Sequence, residues 1–271
     1  MSAFARQKFT VTTRSFLWAC LSILIALVAW ELVAHLGRLP AFILPPPEMV
    51  AQRFQRALAD GSLLANTAYT LVEVLAGLVI GVGVATLLGY ALVKSPHFEK
   101  LASPYIVASQ SIPIVAIAPL LVIWFGPGIL SKILICALIV FFPVLVNTVV
   151  GMRTVSEDLR DLMRSLQASG SQTFWLLEVP AALPVFLGGL RVGATLSVIG
   201  AVVGEFVGSN RGLGFLINVS RGLYDTPMVF VTVFTLVILA LSLYGLVVLL
   251  ESRLLSWQQR PEKNILNQPS E

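Results

Sequence analysis

Long apolar runs alternate with short polar stretches along this chain, and the runs set its architecture. Six of them cover residues 16–36, 68–93, 104–125, 133–151, 185–207 and 228–250. Each is close to or above the roughly 20 residues that carry an α-helix across the hydrocarbon core of a bilayer. The pattern predicts an all-α, polytopic membrane protein with six transmembrane helices, a single domain over residues 1–271. The first run follows Arg6, Lys8 and Arg14, as a secretory leader would. It is too long for a leader and no small-x-small cleavage site follows, so it reads as a retained span.

Between the fourth and fifth runs lies a polar island at residues 161–180, DLMRSLQASGSQTFWLLEVP. Asp161, Arg164, Gln167, Ser169, Ser171, Gln172 and Thr173 stand beside Leu162, Met163, Leu166, Phe174, Trp175 and Leu176. That mixture predicts an amphipathic surface rather than a minimal loop. It has few cations for a helix lying on lipid headgroups, so a partner outside the membrane is expected to grip it. A second amphipathic pattern follows the rigid triplet Pro45, Pro46 and Pro47. Met49, Val50, Phe54 and Leu58 recur there at helical spacing, which predicts a short helix on the outer surface.

Composition narrows the class. The chain is 57% hydrophobic and 12% charged, against roughly 25% charged in a soluble domain. Its net charge of +4 reads as topology rather than as a nucleic-acid footprint, because the basic residues flank the spans. With the N-terminus inside, the cytoplasmic set is Arg6, Lys8, Arg14, Lys94, Lys100, Arg153, Arg160, Arg164, Arg253, Arg260 and Lys263. The outer set is Arg38, Arg53, Arg56, Lys132, Arg211 and Arg221. This bias follows the positive-inside rule and puts the island and both termini in the cytoplasm. Arg191, near the inner end of the fifth span, is expected to snorkel to cytoplasmic water. Glu31, His35 and Glu73 stand near span ends and read as interfacial. Cys20 and Cys136 lie in apolar runs and read as small apolar fillers.

Polar groups inside spans are costly and mark function. Gln110 in the third span, Asn147 in the fourth and Glu205 near the outer end of the fifth are the candidate substrate-pathway residues. For Glu205, bracing a gate is the other reading. Pro113 and Pro119 are expected to bend the third span. The chain has no GxxxxGK[ST] phosphate loop, no nucleophile set beside a base and no metal-ligand set. It is expected to be no enzyme and to bind no metal or cofactor.

The island also carries a family resemblance. Permease subunits of bacterial binding-protein-dependent ABC importers share a cytoplasmic loop of the form E-A-A-x3-G-x9-I-x-L-P. Here Asp161 stands at the E, Leu162 and Met163 at the two A positions, Gln167 at the G, and Leu177, Glu178, Val179 and Pro180 at I-x-L-P. The spacing is kept although several residue types differ. Similarity continues through SIPIVAIAPLLVIWFGPG, AALPVFLGGLRVGATLSVIGAVVGEFVGSNRGLGFLI and the TPMVF start of the last span. The chain therefore resembles an ABC importer type I permease.

The resemblance implies an ATP-driven importer of a small organic solute in the inner (plasma) membrane. ATP and Mg would sit on separate ABC ATPase subunits, and a solute-binding protein would deliver cargo outside. Two copies of the permease would form the pore, or one copy with a second, different permease, with no nucleic acid involved. The coupling loop would span about residues 153–180. Arg160, Asp161, Arg164, Ser165 and Gln172 are its candidate rim, Leu162, Met163, Leu166 and Phe174 its candidate anchors, with Gln167 and Pro180 at motif positions. Glutamine in place of glycine at 167 costs about 1 kcal/mol if the turn there is left-handed; Gly170 is the alternative flexible point. The GAVVGEF and DTPMVF runs look most like the type that imports a vitamin precursor, such as a thiamine pyrimidine, or riboflavin. Sulfonate, taurine or nitrate permeases are the alternative within the family. An ion-coupled secondary transporter is the alternative from another class, and it would be expected to show inverted repeats and a midplane relay.

Overall fold

The computed structural model describes residues 13–37 and 40–256. Of the basic residues above, Arg6, Lys8, Arg38, Arg260 and Lys263 lie outside the described residues, as do the side chains of Arg14 and Cys20. All regular structure among the described residues is helical: α1 (Thr13–Leu36), α2 (Pro47–Ala59), α3 (Ser62–Lys94), α4 (Pro96–Gln110), α5 (Ile114–Phe125), α6 (Ile129–Arg153), α7 (Glu157–Ser165), α8 (Gly170–Thr173), α9 (Val179–Gly208), α10 (Leu213–Gly222) and α11 (Thr226–Leu254). A π turn, Phe174–Glu178, joins α8 to α9.

Four helical stretches are long and apolar enough to cross a bilayer: Ser62–Lys94, Ile129–Arg153, Gly170–Gly208 and Thr226–Leu254. The third span, expected to be bent, is broken outright. Residues 104–125 fall in α4 and α5, which meet at 96°. Pro113 is the cause. It has no N–H to continue the ladder, and it disfavours helical backbone at Ile112. Pro119, also expected to bend the chain, sits inside α5. The pair counts as a fifth span or as a re-entrant loop, and the described apolar part of α1, Leu21–Leu36, is shorter than a full span.

The centre is α6, held between α3 and α9. Small residues make this possible. A Cβ built on Gly77 of α3 would stand 2.2 Å from Cys136 Cβ, and one on Gly200 of α9 would stand 2.8 Å from Cys136 Cα. Without side chains the three backbones approach closely, as small-residue stripes allow in lipid. Cys136 at their meeting point is a buried free thiol, as expected of an apolar filler.

At the end of the bundle bearing α10, α2 packs across α11. The expected helix forms. Val50 and Ala57 are buried, while Met49, Phe54 and Leu58 are exposed. Arg53, between the buried pair, donates to Asp225 at 2.8 Å and fixes the rotation. Trp30 of α1 stacks on Phe230, with centroids 5.4 Å apart, and donates to the Pro45 carbonyl at 3.1 Å.

Candidate functional site

The polar island resolves into a helix, a turn and the start of a rod. α7 begins with Glu157 and Asp158, acids at the positive end of its dipole. It ends where Gln167 N–H donates to Arg164 O at 2.9 Å and Ala168 N–H to Met163 O at 3.0 Å. That double bond pattern requires left-handed backbone at the residue between, and Gln167 has φ +53°. The glutamine itself makes the left-handed turn at the motif's glycine position. Gly170 is helical and is not the flexible point. Ser169 and Gln172 then cap each other's backbone N–H groups, which starts α8.

From α8 the helix continues without interruption through the π turn into α9, Gly170–Gly208, 39 residues. At 1.5 Å per residue this rod is about 58 Å long, nearly twice the hydrocarbon thickness. Its first turns therefore project beyond the span, and α8 runs on into α9 through the π turn, with Pro180 and Pro184 in the turns that follow.

The candidate coupling residues separate into two faces. Leu162 and Leu166 point outward, 52% and 68% exposed, with Leu159 on the same stripe and Trp175 and Leu176 also exposed. Asp161 and Arg164 pair with each other at 2.8 Å and are exposed. Ser165 is exposed too, its hydroxyl donating to Asp161 O at 3.0 Å. Met163 and Pro180 are half-buried. Phe174 turns inward, edge-on to Tyr90 with centroids 5.2 Å apart. Arg160 is not on a rim: its side chain is 17% exposed and it pairs with Glu178.

That pairing anchors the island. Glu178 is buried at the end of the π turn and accepts from Lys94 at 2.6 Å and from Arg160 at 3.1 Å. One carboxylate thus joins the end of α3, the π turn and α7. A buried carboxylate needs such partners. Beside it, Arg153 of α6 pairs with Glu99 of α4. Arg191, expected to reach towards cytoplasmic water, keeps its side chain 32% exposed and pairs with Glu251 of α11 at 2.9 Å.

At the opposite end, α10 begins with its first amides captured by side chains of other helices. Gly212 N–H donates to Asn66 Oδ1 at 2.7 Å and Leu213 N–H to Thr70 Oγ1 at 2.8 Å. Gly214 N–H donates to Glu205. The Thr70 hydroxyl in turn donates to Glu205 at 2.6 Å. Asn66 and Thr70 lie one turn apart on α3, so α3 and α9 together hold the N-terminus of α10. A carboxylate is well placed there, since free N–H groups and the helix dipole both favour negative charge. A Cβ at Gly212, whose φ is +106°, would stand 2.2 Å from the Glu205 carboxylate. Only glycine fits that approach.

Glu205 is therefore buried inside a clamp rather than on open surface. Glu73, expected at the interface, is fully buried and faces Glu205 and Lys132. Lys132, expected outside, is also fully buried. It donates to the Pro127, Gly128 and Gly208 carbonyls, closing the C-terminus of α9. Asn147 is half-buried against Gly189 and donates to Pro143 O at 2.8 Å. Gln110 is exposed where α4 stops.

Helices long and apolar enough to cross a bilayer mark a membrane protein, and comparison with known proteins gives its class. Residues 77–256 match the family described as the binding-protein-dependent transport system inner membrane component. The chain belongs to that family, the permeases of binding-protein-dependent ABC importers, as the loop motif implied. It is 44% identical to the riboflavin transport system permease protein RibX of Chloroflexus aurantiacus, over 88% of each chain. It is 35% identical to the formylaminopyrimidine transport permease protein ThiX of Halalkalibacterium halodurans, over 88% of this chain and 94% of that one. The taurine transport system permease protein TauC of Escherichia coli is 31% identical over 86% of each. Membership in this family sets the ion-coupled reading aside.

Proposed function

We propose that this chain forms the translocation pathway of an ATP-driven importer for a planar vitamin or vitamin precursor, riboflavin or a pyrimidine of the thiamine type. The observation that carries the class is the outward apolar stripe of α7, joined by a short turn to the long helical stretch Gly170–Gly208. Transport energy must enter from outside the lipid, and a short helix seated in a groove of an ATPase passes it on through apolar anchors and a polar rim. Leu162 and Leu166 are the anchors, and Asp161, Arg164 and Ser165 the rim. Met163, Phe174 and Arg160 hold the island to the bundle. The substrate reading rests on the names of the riboflavin and formylaminopyrimidine permeases; the taurine relative keeps sulfonates as the second reading.

In this account the polypeptide crosses the membrane six times, with α1 first and the α4–α5 pair third. The α7 end and both termini face the cytoplasm. Two copies pair to make one pore, each offering its island to one ATPase subunit, where ATP and Mg are bound. A solute-binding protein docks at the α10 end. The break before Pro113 supports Gln110 as a pathway residue, since non-helical backbone at membrane depth is tolerated where it lines a watery cavity or is covered by protein. Asn147 and Glu205 act beside the path, Asn147 at the α6–α9 contact and Glu205 as the brace of the outer gate. The test is uptake by proteoliposomes holding the permease, its ATPase and its binding protein. Riboflavin or formylaminopyrimidine should accumulate only with ATP on the ATPase side. Accumulation of taurine alone would replace the substrate reading, and accumulation without ATP would overturn the class.

A further inference from the structure

A recess of about 510 Å³ opens at the α10 end, between α3 and the turn leading into α10. That volume lies in the roughly 300–1,000 Å³ range of small-molecule sites. Its chemistry is mixed in a particular way. Tyr69 and Phe215 supply aromatic faces, Asn66 and Asn210 supply amides, and Arg211 supplies a guanidinium. Arg211 is exposed, and among the described residues no ion pair engages it. Asn66 is already engaged, its Oδ1 by Gly212 N–H and its Nδ2 by the Ser62 carbonyl. Hydrocarbon tails would leave the Asn210 amide and the guanidinium unused, and a flat ring carrying carbonyl and amide edges would use both together with the two aromatic faces.

The recess shares its walls with the clamp. Asn66 lines it while its Oδ1 holds Gly212 N–H. Asn210 and Arg211 precede the three captured amides, and Phe215 follows them directly. Tyr69 adjoins Thr70 and lies within electrostatic reach of Glu73, Arg211 and Glu205. One wall is therefore α3 and the other is the turn that α3 and Glu205 grip.

We infer that this recess is a binding site for the transported solute at the outer mouth of the permease, taking a planar heteroaromatic ring with hydrogen-bonding edges. The inference rests on the importer reading above and adds the place and the partners. Tyr69 and Phe215 stack on the ring faces, and Arg211 donates to ring carbonyl oxygens. Opening the clamp separates the two walls and releases the solute towards the pathway.

The test is a fluorescence titration of riboflavin against the purified permease–ATPase complex, without binding protein. The wild type should quench riboflavin saturably. Tyr69→Leu should lose the quenching and Tyr69→Phe should keep it. Arg211→Gln, a change at an exposed side chain, should weaken affinity about tenfold, the effect of one charge-assisted hydrogen bond. No saturable quenching by the wild type, or equal affinity in all variants, would overturn the site. So would an Arg211→Gln complex that titrates normally but no longer holds the binding protein, since the face would then be a protein contact. The uptake assay above separates the two claims. Riboflavin uptake without saturable titration sinks the site and leaves the importer reading; titration without riboflavin uptake sinks the substrate reading and, with it, the assignment of the recess to the transported solute.

Discussion

Lys94 and Glu178 meet at 2.6 Å, 84 residues apart in the chain. The contact ties the last residue of α3 to the turn that launches the α9 rod. Arg160 completes it from α7 at 3.1 Å. Removing the shared carboxylate would leave two cations facing each other over a buried gap. Glu178→Ala should therefore destabilise the protein by about 3 kcal/mol, read as a lowered unfolding midpoint in detergent. Limited proteolysis should then cut within α7. An unchanged midpoint with α7 still protected would contradict the anchoring role.

Gln167 holds left-handed backbone that glycine holds more easily. Gln167→Gly should raise stability by up to about 1 kcal/mol, and Gln167→Ile should lower it by at least as much. Both are measured by thermal unfolding of the purified protein. The reverse order would mean that the turn is not left-handed.

Thr70 donates to Glu205 and accepts from Leu213 N–H through one hydroxyl. Thr70→Ser keeps both bonds and should behave as wild type. Thr70→Val leaves a buried carboxylate and an amide short of partners, a loss of about 2–3 kcal/mol. Gly212→Ala pushes a methyl group into Glu205 and should be more damaging than either. Hydrogen exchange of the 212–214 amides reads the clamp directly. Equal protection in Thr70→Ser and Thr70→Val would dispose of it.

The proposed orientation places Ser171 and Asn210, both exposed, on opposite sides of the membrane. In a background without Cys20 and Cys136, an impermeant thiol reagent applied to intact cells should label Asn210→Cys and spare Ser171→Cys. Labelling of both from outside would overturn the assignment of ends.

Much of the frame was legible because apolar runs and small-residue spacing are local properties of a sequence. α3, α6 and α11 lie where the hydropathy pattern put them. The turn at Gln167 was half-legible: the motif marked the position, while Gly170 stood as an equally good flexible point until the backbone showed φ +53° at Gln167. Other features depend on what folding brings together. Nothing local distinguishes Glu178 from a solvated loop carboxylate until Lys94 and Arg160 arrive. Glu73 and Lys132 stand near span ends, which suggests interfacial water, yet both are enclosed by neighbouring helices. The 96° break was half-legible: Pro113 announced a bend, and its size depends on where α5 packs. The α2 helix was legible, but its rotation, with Val50 and Ala57 turned to the bundle, depends on Arg53 meeting Asp225, a partner 172 residues away.

The central claim is that motion enters this permease through α7 and reaches the membrane along the rod. Leu162 is 52% exposed, so Leu162→Asp leaves the fold of the chain intact while placing a charge on the docking stripe. The direct measurement is solute uptake and ATP hydrolysis followed together in proteoliposomes containing the assembled complex. The account predicts that Leu162→Asp either sheds the ATPase on purification or leaves hydrolysis running without uptake. A Leu162→Asp complex that stays assembled and imports solute at the wild-type rate per ATP hydrolysed would contradict it.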